Sequence, residues 1–367
     1  MVIGCILLAL LLVIGVIYFY LKSFFTKPQR VDQNGRIYYT EYKGDYTSAL
    51  IQRPYNLLKP VKKSGCSAFF TEDMSGGLMT CRNYDLAHLN KNGECTGLNV
   101  IVRCSPKGKY KSIGTADVAM LSRALGIPYY EGSLDDGKTN TIFLAFLPYL
   151  CVDGMNEKGL VVTINALDIK EGEEAVYQSE PGKDYVIVPE LLRQILDNCA
   201  TVEEAKALAE QRNLINTFGK DYHIFVTDAT GVSAVFEWRH NEMNVTYTDI
   251  ITNFYVGSDD AEDYYVDGAL KEAFVPPADN PKGYRFGYGH GYERFKTVMS
   301  SMAEHREGDS VKMTDEDAFK TLKSASQEYT GQLTSLTQYS VLYKNGNLTM
   351  DICRYPDYEN VYHYEIE

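Results

Sequence analysis

The chain has 367 residues, which is enough for one large domain or two ordinary ones. A hydrophobic fraction of 45% and a charged fraction of 23% are ordinary for a globular protein. The net charge of −13, with no run of basic residues to offset it, argues against nucleic-acid binding. No nucleotide-binding or HExxH motif occurs, no histidines are paired at i, i+4, and no CxxC is present. We therefore predict no cofactor and no metal site.

The N-terminal stretch from Val2 to Leu21 carries no charged side chain and is about as long as a bilayer-spanning helix. The basic start and small-residue cleavage site of a signal peptide are not clear here. We therefore predict a single-pass membrane anchor over residues 1–22. Lys22, Lys27 and Arg30 follow the span, which by itself would place the body in the cytoplasm. This bias is small and a large domain can override it, so an extracytoplasmic catalytic domain stays open.

The residues between the predicted anchor and the main domain are polar and mixed. We interpret residues 23–65 as a linker or pro-segment, and residues 66–367 as one catalytic domain.

The segment from Ser64 to Asp85 has the pattern of a β-hairpin, with two apolar runs separated by Ser75-Gly76-Gly77. Such a hairpin brings Arg82 and Asp85 beside Cys66, near the start of its first strand. Because a guanidinium favours the thiolate form of a neighbouring thiol, the spacing predicts that Cys66 is a nucleophile. The alternative is that Cys66 is a small buried hydrophobe and that the two charged residues form a structural ion pair.

The remaining pattern alternates between strands and helices, which suggests an α+β architecture with helix layers outside sheets. Apolar runs and turn signals predict strands at 98–104, 142–152, 160–166, 222–228, 232–238, 339–343 and 348–353. Helical spacing and capping residues predict helices that open at Thr115 and Thr201, and helices at 188–199, 291–304 and 315–326.

Six segments, in order from Cys66 towards the C-terminus, resemble the choloylglycine hydrolase family of N-terminal-nucleophile (Ntn) amidases. This family includes bile salt hydrolases and penicillin V acylases. The segments are C-S-A-F-F…C-R-N-Y-D, D-G-M-N-E-K-G-L-V-V-T-I-N, H-I-F-V-T-D-A-T-G-V-S-A-V-F-E, I-T-N-F, E-R-F and T-Q-Y-S-V-L-Y-K-N-G-N-L-T-M. The resemblance implies a four-layer αββα Ntn-hydrolase sandwich whose nucleophile is the first residue of the mature chain.

The resemblance also implies a mechanism. Cys66 would attack an amide carbonyl as a thiolate, with its own α-amino group as the base, since a free α-amine has a pKa near 8. Arg82 would steady the thiolate and Asp85 would hold the amino group. Because 65 residues precede Cys66, the Gly65–Cys66 bond must first be cut, by Cys66 itself.

Three further residues match the family pattern. Asn253 of I-T-N-F would donate to the oxyanion, and Arg294 of E-R-F matches a later site arginine. Asn165 aligns one residue short of the bile salt hydrolase pattern and would help to line the same oxyanion hole. The alternatives are that Asn253 is a turn residue and that Arg294 is a solvated helix residue.

We therefore predict a linear amide C–N hydrolase that acts on a small-molecule N-acyl amide. An acyltransferase on the same scaffold and a catalytically silent membrane-anchored binding protein are the main alternatives. A papain-like protease, which would need a histidine partner, is a more distant one. Bile salts, phenoxyacetyl penicillins, acyl-homoserine lactones and fatty-acyl amides all stay open as substrates, as do a homo-oligomer and a Cys95–Cys104 disulfide.

Overall fold

Two large β-sheets form the centre of the protein. The computed structural model describes residues 12–16, 20, 23–44, 46, 64–88, 92, 95–120, 134, 139–170, 172–216, 220–257, 287–328 and 335–366. The strands are β1 Gln29–Arg30, β2 Ile37–Tyr42, β3 Ser64–Asp73, β4 Leu78–Leu86, β5 Asn99–Cys104, β6 Ser112–Asp117, β7 Cys151–Asn156, β8 Val161–Leu167, β9 Asp184–Val186, β10 Arg212–Leu214, β11 Asp221–Thr227, β12 Ser233–Arg239, β13 Glu242–Tyr247, β14 Ile250–Ile251, β15 Asn253–Phe254, β16 Gly289–His290, β17 Arg306–Glu307, β18 Ser310–Met313, β19 Thr337–Lys344, β20 Thr349–Arg354 and β21 Val361–Glu365. The helices are a 3-10 helix Thr139–Tyr149, α1 Val188–Asn198, α2 Val202–Glu210, α3 Tyr292–Glu304 and α4 Asp315–Ser324.

The first sheet has nine strands in the order β1-β2-β5-β6-β7-β8-β11-β12-β13, and only its β2–β5 pair is parallel. The second has eight strands, in the order β17-β18-β3-β4-β19-β20-β21, with β14 also paired to β3. Helix α1 packs on β7 and β8 of the first sheet, while α3 and α4 pack on the second. The described residues therefore form helix, sheet, sheet and helix layers, as the sequence predicts.

The hairpin of β3 and β4 has a turn that the sequence dictates. Asp73 accepts hydrogen bonds from the backbone N–H groups of Ser75 and Gly77, at 2.7 and 2.9 Å. Gly76 has a φ of +84°, a conformation that glycine adopts without steric cost. This turn fixes the register that faces Cys66 with Tyr84 and Gly65 with Asp85.

Part of the predicted linker belongs to the first sheet. Strand β2 runs parallel to β5, and Ile37, Tyr38 and Tyr42 are buried. Tyr46 is also buried, and its hydroxyl donates to Asp197 Oδ1 at 2.8 Å. Whether the chain is cut after residue 65 stays a prediction.

In the described part of the chain, no helix combines the length and the apolar character needed to cross a bilayer. Most of the stretch from Val2 to Leu21 lies outside the described residues. The anchor therefore stays a prediction.

One sequence-based assignment is wrong in its start and another in its type. Thr115 lies inside β6, between β5 and β7, and the helix predicted to open there begins instead at residues 118–120; the rest of that predicted helix lies outside the described residues. The apolar run at 142–152, predicted as a strand, is mostly the 3-10 helix Thr139–Tyr149, and β7 begins at Cys151. Apolar runs without a clear period do not distinguish buried strands from buried helices. Cys95 and Cys104 are both free thiols, so no disulfide joins them.

We expect the free energy of unfolding to depend on pH because of Glu190, which lies in the first turn of α1. Burial raises the pKa of this carboxyl to about 7 from an ordinary value of 4.5. Between these values the folded state binds more protons than the unfolded state, so the free energy of unfolding falls as the pH rises. Glu190→Gln is therefore expected to be more stable than wild type at pH 8, by on the order of 1 kcal/mol, and similar to it at pH 4.

Urea denaturation at the two pH values would measure this difference. Glu210→Gln, at an exposed position on α2, is the matched control. An equal effect of Glu190→Gln at pH 4 and pH 8 would contradict the assignment.

Candidate active site

Cys66 lies on β3 with its side chain almost fully buried, at 3% exposure. Because β3 pairs antiparallel with β4, Arg82 and Asp85 both return to its neighbourhood. Nη2 of Arg82 is 3.5 Å from Sγ of Cys66. The predicted hairpin and the predicted approach of the guanidinium to the thiol are confirmed.

Arg82 joins the two sheets at this point. Its Nη1 donates to the carbonyl oxygen of Val152 at 2.6 Å, and its Nη2 donates to that of Ile164 at 2.5 Å. Its Nε lies 3.4 Å from Oδ2 of Asp153, and both side chains are fully buried. The guanidinium is therefore held rigidly by two strands of the first sheet while its own strand belongs to the second.

The protonation of the thiol reflects two opposing effects. Burial raises the pKa of Cys66 above its ordinary value, and the positive charge of Arg82 lowers it in part. In the uncut chain burial has the larger effect. The guanidinium favours the thiolate as predicted, but it does not by itself bring the thiol pKa below its usual value.

Asp85 is fully buried beside the Gly65–Cys66 bond. It accepts hydrogen bonds from Thr337 Oγ1 at 2.7 Å and from Gln327 Nε2 at 2.8 Å. Nη1 of Arg294 is 3.7 Å from Oδ2 of Asp85. Burial raises the pKa of this carboxyl, and Arg294 opposes that rise. The predicted hold of Asp85 on a freed amino group stays a prediction, because Cys66 is still joined to Gly65 here.

Asn253 and Arg294 both contact the backbone of Cys66. Oδ1 of Asn253 accepts from the backbone N–H of Cys66 at 2.9 Å. Arg294, in the first turn of α3, donates to the carbonyl oxygen of Cys66 at 2.6 Å and to Oδ1 of Asn253 at 2.7 Å. Asn253 is thus more than a turn residue, and Arg294 is more than a solvated helix residue. The amide Nδ2 of Asn253 donates to the carbonyl oxygen of Ala166 at 2.7 Å.

Asn165 contacts the backbone directly before Asn253. Its Nδ2 donates to the carbonyl oxygen of Thr252 at 3.1 Å, next to Asn253 in the chain. Its Oδ1 is buried and has no hydrogen-bond partner among the described residues. Asn165 therefore supports the strand that carries Asn253, and its role at the oxyanion stays a prediction.

A small apolar cavity of about 40 Å³ adjoins Cys66. The hydroxyl of Tyr84 donates to Oδ2 of Asp117 at 2.5 Å, which holds the tyrosine ring in place. The lining is mostly aliphatic and aromatic, and includes Tyr84, Leu86, Met120, Val152, Ile164 and Val188. Such a lining suits an apolar group better than a charged one, but a ligand pocket is typically about 300–1,000 Å³, so this cavity must widen to admit an acyl chain.

Sequence reasoning missed two partners of Asp85. Thr337 belongs to the T-Q-Y-S-V-L-Y segment, which is part of the family resemblance, but the resemblance assigned no role to Thr337. Gln327 lies just after α4 in a polar stretch that carried no signal. Their place beside the scissile bond depends on contacts between residues more than 240 positions apart.

Comparison with solved structures shows that two variants of one bile acid hydrolase have a fold like that of this chain. A mutant of conjugated bile acid hydrolase from Clostridium perfringens matches with a TM-score of 0.53, 17% sequence identity and coverage of 82% of this chain and 92% of that chain. A second variant of that hydrolase gives a TM-score of 0.54 with the same identity and coverage. Penicillin V acylase from Agrobacterium tumefaciens gives a TM-score of 0.47, 14% identity and coverage of 82% and 86%. A comparison with curated protein sequences gives no significant match.

The sequence profile of the linear amide C–N hydrolases, choloylglycine hydrolase family, matches residues 66–254. This match covers more than half of the chain and begins at Cys66. The Ntn-hydrolase-like fold of the solved structures agrees with it. The chain belongs to the choloylglycine hydrolase family of linear amide C–N hydrolases.

Proposed function

We propose that this protein hydrolyses the C–N bond of a small N-acyl amide, with Cys66 as the nucleophile after a cut at Gly65–Cys66. One observation carries the proposal: Arg82, Asn253 and Arg294, from three separate elements, all contact Cys66. Membership of the amide hydrolase family supplies the reaction class. The cavity beside the thiol favours an apolar acyl group.

In the proposed reaction the Cys66 thiolate attacks the substrate carbonyl carbon, and a thioester forms as the C–N bond breaks. The freed α-amino group of Cys66 takes the thiol proton and passes it to the departing amine. Water then hydrolyses the thioester and releases the acid. Asn253 is a candidate for the oxyanion because its amide group is held against the backbone of Cys66 through Oδ1, and Nδ2, which donates one hydrogen to Ala166, carries a second hydrogen.

The cut that precedes this reaction would use the same groups. Sγ of Cys66 attacks the carbonyl carbon of Gly65, the C–N bond breaks, and water hydrolyses the resulting thioester. Position 65 is closely confined: a Cβ there would lie 2.7 Å from Gln327 Nε2 and 2.9 Å from Ser335 Oγ. Glycine therefore fits beside Asp85, where a larger residue would push the side chains of Gln327 and Ser335 away and disturb the bond from Gln327 to Asp85.

The N-terminal anchor, which we also propose, rests on the uncharged stretch from Val2 to Leu21. It would make the protein a single-pass membrane protein before the cut. Protease protection of intact membranes would reveal on which side the body lies.

The proposal is tested by the intact mass and N-terminal sequence of purified wild type and Cys66→Ala, followed by an amide hydrolysis assay. The assay uses hexanoyl, phenylacetyl and palmitoyl amides of 2-aminoethanol and of glycine. We expect wild type to begin at Cys66 and to release acid from at least one amide. We expect Cys66→Ala to stay uncut and to release none, with an unchanged circular dichroism spectrum.

Three outcomes would count against parts of the proposal. Full hydrolysis by Cys66→Ala would exclude Cys66 as the nucleophile. Transfer of the acyl group to an added amine, in preference to water, would indicate an acyltransferase. An uncut wild-type chain with an unreactive Cys66 thiol and no hydrolysis would favour a silent binding protein.

A further inference from the structure

We propose that Nε2 of His290 binds the amine half of the substrate by accepting a hydrogen bond from a neutral donor, a hydroxyl or an amide N–H. This inference rests on the proposed function. It names a binding residue that is distinct from the groups around the thiol. It also predicts which amines the protein prefers.

The position of His290 follows from the pairing of β15 with β16. Asn253 and His290 face each other across this antiparallel pair. Residues directly opposite in such a pair project to the same side, with Cβ atoms about 4.5–5.5 Å apart. The Asn253 side chain contacts the backbone of Cys66, so the His290 side chain lies next to a residue that touches the nucleophile.

One ring nitrogen of His290 is already held. Nδ1 lies 2.8 Å from Oδ2 of Asp168, whose other oxygen is bound by Lys220. The hydrogen bond from His290 and the charge of Lys220 keep the pKa of Asp168 well below its ordinary value despite burial. An ionised carboxylate only accepts hydrogen bonds, so Nδ1 carries the proton. In the neutral ring Nε2 is then an acceptor that points away from Asp168.

The second ring nitrogen is unpaired within the described part of the chain. Nε2 of His290 is buried and has no hydrogen-bond partner among the described residues, although the residue is only 5% exposed. A buried polar atom left unpaired costs about 1–3 kcal/mol. A substrate-binding residue needs a polar atom that is held in place and still unpaired before the substrate arrives. Nε2 of His290 fits this description, because Asp168 holds the ring and Nε2 has no partner among the described residues.

The surroundings indicate which half of the substrate meets His290. The apolar cavity beside Cys66 suits the acyl group, and its lining does not include His290. On the other side of Cys66 lie the buried side chains of Asn253 and His290, followed by Asp168, whose side chain is 19% exposed. With the acyl group assigned to the apolar side, this polar side is left for the amine half. The carboxylate of a glycine amide offers no hydrogen to Nε2, so such an amine is disfavoured.

The experiment compares two amides with the acyl group that wild type cleaves fastest, one made from 2-aminoethanol and one from propylamine. They have the same number of heavy atoms, and only the first carries a terminal hydroxyl. We expect wild type to favour the hydroxyl compound about fivefold to tenfold in kcat/KM, mainly through KM. In His290→Asn the amide nitrogen keeps the bond to Asp168 but no atom replaces Nε2, so the preference is expected to disappear. His290→Gln, which places a polar atom near Nε2, is expected to retain part of it.

The cut at Gly65–Cys66 in His290→Asn should match wild type, since the cut does not involve Nε2, and a cooperative thermal transition would show that the variant is folded. An unchanged preference in His290→Asn, or a wild type that favours the glycine amide, would overturn the inference while leaving the amidase proposal intact. If His290→Asn does not fold, equal kcat/KM values of wild type for the two amides would overturn it. Failure of wild type to hydrolyse any amide would instead overturn the proposed function, and the inference with it.

Discussion

Replacing Arg82 with methionine is expected to destabilise the fold by about 3–5 kcal/mol and to abolish both the cut and amide hydrolysis. The guanidinium is fully buried, and it bonds to the carbonyl oxygens of Val152 and Ile164 in the opposite sheet. Its loss would leave both acceptors and the buried carboxylate of Asp153 without their cation. The free energy of unfolding from urea titration and the intact mass of the product would measure the two effects.

A second variant separates the structural role of Arg82 from its role at the thiol. Asp153→Asn removes the negative charge that Arg82 balances, while Tyr339 and Tyr343, at 2.6 and 2.7 Å, remain as hydroxyl neighbours. Arg82→Met combined with Asp153→Asn is therefore expected to regain part of the lost stability but no activity. Wild-type hydrolysis by this double variant would show that the contact of Arg82 with Cys66 is dispensable.

Local signals account for what the sequence predicts well. The β3–β4 hairpin was predictable because its turn residues and apolar runs set the register, and the register places Arg82 and Asp85. Helix α1 was predictable because apolar residues recur at one face between Val188 and Asn198. In both cases the information lies within a few residues along the chain.

Distant contacts account for what the sequence leaves out. Gln327 and Thr337 reach Asp85 only because β19 pairs with β4 and α4 packs on the same sheet. His290 meets Asp168 across 122 positions, and neither residue lies in a segment that carried a recognisable motif. Burial also reverses an expectation at Cys66, because the effect of desolvation on the thiol pKa exceeds that of the neighbouring guanidinium.

After the proposed cut, the N-terminal piece is expected to remain bound to the body. Strand β2 pairs with β5 at six successive positions, from Ile37 opposite Asn99 to Tyr42 opposite Cys104. The hydroxyl of Tyr42 donates to the carbonyl oxygen of Ala145 at 2.9 Å. Separation would expose these aromatic side chains and an open sheet edge, and a buried aromatic residue covers about 150–250 Å². The two pieces should therefore elute together in native buffer and separate in denaturant.

Tyr46 provides the sharpest test, because it is buried and its side chain contacts side chains of the body. Its hydroxyl bonds to Asp197, and the guanidinium of Arg193 lies 5.4 Å from its ring centroid. Tyr46→Ala is expected to cost about 3–5 kcal/mol and to release the N-terminal piece at lower urea concentrations. Tyr177→Ala, at a side chain that is 57% exposed, is the control and should leave the two pieces together. If wild type loses its N-terminal piece in native buffer, the segment is a removable pro-segment; if the pieces stay together, any anchor within residues 1–22 also holds the body at the membrane.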